Sequence, residues 1–90
     1  MAKKKMTPEV ARYAKILRER RKELRFTQED VALSAGIVYQ QYQCFEYGSR
    51  NIRRSSVDLV LRICAVLELD PYELIFANDK DWVRYNEWLE

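Results

Sequence analysis

Apolar side chains at Val10, Tyr13, Ala14, Leu17 and Leu24 recur at the spacing of one helix face, while Arg12, Lys15, Arg18, Glu19, Lys22 and Glu23 point mostly outward. Thr7-Pro8-Glu9 ahead of them supplies a capping hydroxyl, a proline suited to the first helical position and an early acid, so the pattern predicts a helix over about 8–24. "TQED" at 27–30 has the spacing of a capping box, Thr27 to Asp30, and Val31, Ala32 and Ala35 form the apolar side of a short second helix that Gly36 ends. Helical spacing resumes with Ile37, Tyr42 and Phe45 as the inward set and stops at Gly48. Two short helices joined by so tight a turn must cross steeply. "SSVD" at 55–58 reads as a second capping box, launching Val57, Val60, Leu61, Cys64 and Leu67. "DPYE" at 70–73 opens a fifth helix with Leu74, Ile75 and Phe76. "DKDWVRYNEWLE" puts Trp82, Tyr85 and Leu89 on one side of a terminal segment, with Trp88 displaced. The expectation is an all-α chain: one domain over 1–90, five helices, and a short sixth helix or tail at 79–90.

Composition narrows the classes. A chain of 90 residues, 48% apolar and with only two Gly and two Pro, suits one compact domain with a small core. No run approaches the roughly 18 apolar residues of a membrane span, and "MAKKKMTPEV" lacks the apolar stretch of a signal peptide, so a cytoplasmic location is expected. Cys44 and Cys64 lack metal-ligand spacing, there is no His, and no nucleophile–base set is visible. An enzyme, a metal site, a cofactor and a small-molecule ligand are therefore not expected. Charge adds an asymmetry that the net +2 hides. Residues 1–54 hold 13 Lys/Arg against 6 Asp/Glu, a balance of +7, and residues 55–90 hold 3 against 8, a balance of −5. A basic half suits a polyanion and an acidic half stays away from it, although solvated helix faces also carry such charge.

Four stretches taken together point further: "LRERRKE" at 17–23, "FTQEDVALSAGI" at 26–37, "FEYGSRN" at 45–51 and "LVLRICAVLELDPYEL" at 59–74. With Thr27-Gln28, Ala32, Gly36, Ile37, Glu46, Gly48 and Arg50-Asn51 at the family's spacing, residues 10–76 resemble the lambda-repressor-like helix-turn-helix domains of the Cro/XRE family of DNA-binding regulators. The resemblance implies a compact five-helix domain with its helix-turn-helix at about 28–47. It also implies a sequence-specific regulator of transcription, a homodimer on double-stranded DNA, reading the major groove with helix 38–47. By this likeness Tyr39, Gln40, Gln43 and Cys44 face base edges, and the helical wheel agrees, because Ile37, Tyr42 and Phe45 are claimed by the core. A Gln amide can pair bidentately with adenine, worth about 1–3 kcal/mol of discrimination. Gln28, Arg50 and Asn51 would lie on phosphate oxygens, joined by Arg53 and Arg54 from the same loop. Apart from the likeness, Lys3, Lys4 and Lys5 make residues 1–6 either a flexible basic arm on the backbone or a solubility feature. Arg21 and Glu46 match an internal ion pair.

Three positions depart from the family pattern. Val38 leaves the reading helix without a capping side chain, and Arg25 stands where Gly commonly closes the first helix. The loop "SRNIRRSS" is about three residues longer than usual and lacks its Pro. Cys44 reads as a passive thiol on the reading face and Cys64 as core. Trp82, Tyr85, Trp88 and Leu89 are candidate dimer contacts. The alternative function is a protein-interaction module on the same fold that has lost DNA binding and docks a protein through the uncharged, tyrosine-bearing helix.

Overall fold

Thr7 caps the first helix as its sequence predicts, its hydroxyl accepting from the Val10 N–H at 3.2 Å in a computed structural model that describes residues 6–76. With Pro8 in the first turn, α1 runs Pro8–Glu23. The chain leaves it through Arg25, whose φ of 61° is left-handed. The Arg25 and Phe26 N–H groups turn back to the Lys22 and Arg21 carbonyls. Arg thus occupies a conformation that Gly adopts without steric cost.

The capping box forms as read. The Thr27 hydroxyl accepts from the Asp30 N–H at 3.0 Å, and the Asp30 carboxylate accepts from the Thr27 N–H at 2.8 Å. α2 then spans Gln28–Ala35 and ends at Gly36, φ 69°, where the Ile37 N–H closes on the Ala32 carbonyl. α3 is Tyr39–Tyr47, with Val38 as an N-cap that makes no side-chain bond and Gly48, φ 78°, at its end. A 3₁₀ turn, Ile52–Arg54, follows, capped by the Asn51 side chain on the Arg53 N–H. It buries Ile52, which the sequence placed only in a basic loop.

α4, Val57–Leu67, corrects two expectations. Its cap is Ser56, not Ser55: the Ser56 hydroxyl accepts from the Leu59 N–H, and with Leu at that third helical position no reciprocal box forms. The buried face is Leu59, Val60, Ile63, Cys64 and Leu67, whereas Val57, 73% exposed, and Leu61 point outward. "VDLVLRICAVL" is apolar at most positions, so its periodicity does not choose a face; packing against α2 does. α5, Pro71–Phe76, starts on Asp70, whose carboxylate accepts from the Tyr72 N–H at 2.9 Å.

The described residues are all-helical, with one core. Tyr13 and Leu17 of α1, Val31 and Ala35 of α2, Tyr42 and Phe45 of α3, Ile63 and Leu67 of α4 and Leu74 of α5 meet in it. Arginines knit the helix ends together. Arg62 of α4 donates to the Ala35 and Gly36 carbonyls at the end of α2, Arg20 to Leu67 at the end of α4, and Arg12, with the Tyr13 hydroxyl, to Ile75 in α5. A cation at a helix C-terminus satisfies orphan carbonyls and opposes the macrodipole. Arg12 and Arg18, expected to point outward, are accordingly half-buried, and Arg18 lies 3.5 Å from the Glu46 carbonyl. No described helix is long and apolar enough to cross a membrane. Lys3, Lys4 and Lys5, and the segment with Trp82, Tyr85, Trp88 and Leu89, lie outside the described residues.

Candidate nucleic-acid interface

α3 is held from beneath by two aromatic side chains and one carboxylate. Tyr42 and Phe45 are buried, and Glu46 is 2% exposed although it is charged. Burying a carboxylate is tolerable only with partners. Arg21 of α1 supplies a two-pronged one, Nε to Oε2 at 2.7 Å and Nη2 to Oε1 at 3.0 Å, and its Nη1 also donates to the Phe26 carbonyl. Desolvation alone would raise the Glu46 carboxyl. The bonds from Arg21 and Gln28, with the Tyr42 hydroxyl alongside, outweigh it and hold the group below the usual carboxylate range. The hydrogen bond to Glu46 likewise raises the Arg21 guanidinium against its own desolvation. Tyr42, whose hydroxyl is buried without a well-formed hydrogen bond, is pushed far above its ordinary value, by burial first and by Glu46 second. The Arg21–Glu46 pair read from the sequence is present, and it fixes α3 to α1.

From Glu46 a line of amides runs outward. Gln28 at the first turn of α2 donates to Glu46 Oε1 at 3.1 Å. Its own oxygen accepts from Gln43 of α3 at 3.3 Å, and Gln43 also donates to the Tyr47 hydroxyl at 3.4 Å. Gln28 is thus spent partly on internal bonds. The capping box claims the Thr27 and Asp30 N–H groups and leaves those of Gln28 and Glu29 at the helix tip to an outside acceptor.

The residues expected to read bases lie on one helix but not at one depth. Gln40 is exposed, Gln43 and Cys44 are half-buried, and Tyr39, expected on the surface, is half-buried against the core. Tyr47 is 62% exposed one turn beyond Gln43 and was not among them; the four-residue spacing from Gln43 was the available signal. Among the expected phosphate contacts, Arg50 and Arg54 are exposed on the loop after α3. They line a groove with Thr7, Glu9, Ser49 and Asn51. Asn51 and Arg53 are drawn to α1 instead: both donate to Glu9, at 3.2 and 3.4 Å, and the Arg53 guanidinium covers the Phe76 ring. Glu9 was read only as a helix-opening acid, and nothing in the linear pattern marks its partners 42 and 44 residues away.

No family model and no curated protein matches the sequence. A solved structure does. The crystal structure of the restriction-modification controller protein C.AhdI from Aeromonas hydrophila is similar with a TM-score of 0.67 and 26% identity, over 76% of this chain and 98% of that one. The chain has the helix-turn-helix fold of that controller protein and resembles the Cro/XRE type. In this helix-turn-helix domain α2 and α3 are the two helices of the motif and Gly36 is its turn. The match is to a controller protein rather than to an enzyme.

Proposed function

We propose that the protein is a sequence-specific regulator of transcription that binds double-stranded DNA, laying α3 in the major groove with α2 across the backbone. The observation that carries this reading is the composition of the α3 face and its rim. Gln40, Gln43 and Cys44 form an uncharged surface beside an exposed pair of arginines, Arg50 and Arg54. Neutral amides choose bases, and cations flanking them grip phosphate. Gln40, the most accessible of the amides, takes the bidentate adenine contact. The N–H groups at the tip of α2 bind phosphate on one side of the groove, and Arg50 and Arg54 do so on the other, where Asn51 and Arg53 join only by leaving Glu9. Two copies acting on a two-fold-related operator complete the reading, with Trp82, Tyr85, Trp88 and Leu89 as the dimer contact.

Selection of duplexes from a random pool tests the function. A consensus should emerge, and Gln40→Ala should weaken that site while leaving binding to unrelated duplex unchanged. If no duplex is retained at low salt, the fold serves instead as a protein-interaction module. Sedimentation after truncation behind Asn78 tests the dimer: a shortened chain that is monomeric yet melts cooperatively supports it, and an unchanged sedimentation coefficient per subunit pair rejects it.

A further inference from the structure

The line of hydrogen bonds from Arg21 to Tyr47 does more than brace α3, because its order fixes which atoms remain for a partner. An ionised carboxylate can only accept, so Gln28 must turn its amide nitrogen toward Glu46 Oε1, at 3.1 Å. The Gln28 oxygen is then the end that faces Gln43, and an amide oxygen can only accept in its turn. Gln43 must therefore answer with Nε2, at 3.3 Å. The second hydrogen of that nitrogen is directed at the Tyr47 hydroxyl oxygen, at 3.4 Å. An amide nitrogen has two hydrogens, and both are engaged. What Gln43 has left is its carbonyl oxygen.

We propose that Gln43 reads DNA as an acceptor alone, taking a hydrogen bond from the exocyclic amino group of adenine or cytosine, and that Tyr47 is the positioning residue that keeps it so. This rests on the reading of α3 as a major-groove helix. In that groove adenine N6 and cytosine N4 are the only base-edge donors, whereas guanine and thymine present acceptors there. An acceptor-only Gln43 separates A and C from G and T without separating A from C. A Gln with a free N–H would bond N6 and N7 together and select adenine. Gln40, exposed and one turn earlier, has no such constraint from a neighbouring amide.

The test uses the full chain and a duplex taken from the random pool, with single base analogues placed along the half-site. At the position whose preference disappears in Gln43→Ala, wild type should accept A and C about equally. It should lose about tenfold in affinity when the adenine 6-amino group is removed, and less than about twofold when 7-deazaadenine replaces adenine. Tyr47→Phe alters an exposed side chain and frees the second Gln43 hydrogen. That variant should come to prefer A over C by about tenfold and become sensitive to 7-deazaadenine at the same position. The inference is overturned if the Gln43-dependent position prefers G or T, if 7-deazaadenine weakens wild type as much as amino removal, if Tyr47→Phe changes only overall affinity, or if a bound duplex shows no Gln43-dependent position. If wild type binds no duplex at all, the major-groove reading itself falls and takes this one with it.

Discussion

Replacing Glu46 by Ala probes the joint between α1 and α3. The carboxylate is 2% exposed and accepts from two nitrogens of Arg21 and one of Gln28. Its loss leaves Arg21, with 13% side-chain exposure, the Phe26 carbonyl as its remaining well-formed acceptor among the described residues. Breaking a buried pair from one side costs about 3–5 kcal/mol, and the residual exposure of Arg21 places this case near the lower end, about 3 kcal/mol. At about 4–8 °C per kcal/mol for a domain of this size, the melting temperature should fall by about 12–24 °C. The whole domain holds about 5–13 kcal/mol at roughly 0.05–0.15 kcal/mol per residue, more than that loss, so the variant should still fold in the cold. Thermal melts followed by far-ultraviolet circular dichroism measure the drop. Glu46→Gln, which keeps an acceptor for Arg21, should fall between wild type and Ala. The pair's contribution also has a pH signature. Because the folded Glu46 carboxyl lies below its ordinary value, its stabilisation is complete above the unfolded value of about 4.3 and is lost as pH falls through the folded one. Wild type and Glu46→Ala should therefore converge in stability toward strong acid. A loss under about 1 kcal/mol at neutral pH, the range of exposed pairs, would refute the reasoning.

Two further outcomes follow from particular residues. Arg25→Gly relieves a left-handed φ of 61° on an exposed, non-glycine residue and should raise the urea midpoint by an amount equivalent to about 1 kcal/mol; a lower midpoint contradicts that source of strain. The two thiols should separate under a thiol reagent. Half-buried Cys44 should react in the native state, whereas Cys64, whose thiol burial pushes up to about 11 with Asp70 adding to the effect, should react only at the rate of unfolding. Since the folded Cys64 thiol is raised, stability should also fall as pH rises from the unfolded thiol value of about 8.5 toward 11, and Cys64→Ala should lack that decline.

Local punctuation was the legible part of this chain. Thr7, the Thr27–Asp30 box, Gly36, Gly48 and Asp70 each act within four residues, so their roles are written in adjacent letters and the structure repeats them. α4 was less legible for the opposite reason: with apolar residues on nearly every side, its inward face is settled by α2, which no window of α4 contains. The arginines illustrate the same limit. Arg12, Arg20 and Arg62 look like surface charge in sequence and bond helix ends 63, 47 and 27 residues away; because Arg12 and Arg20 belong to the basic first half, its balance overstates what an outside polyanion would meet. In the candidate interface, the Arg21–Glu46 pair was read from family likeness and is present. The bonds that link it to Gln28, Gln43 and Tyr47, and those that draw Asn51 and Arg53 to Glu9, depend on three helices meeting and had no linear signature.

The central claim, that α3 and its arginine rim form a surface for DNA, is tested most directly by the salt dependence of duplex binding in wild type and Arg50→Ala. Each phosphate contact contributes about −0.9 to the slope of log K against log salt. Wild type should show a steep negative slope, and Arg50→Ala should flatten it by about one unit while leaving the preferred sequence unchanged. A slope near zero in wild type, or an identical slope in both proteins, would contradict the account.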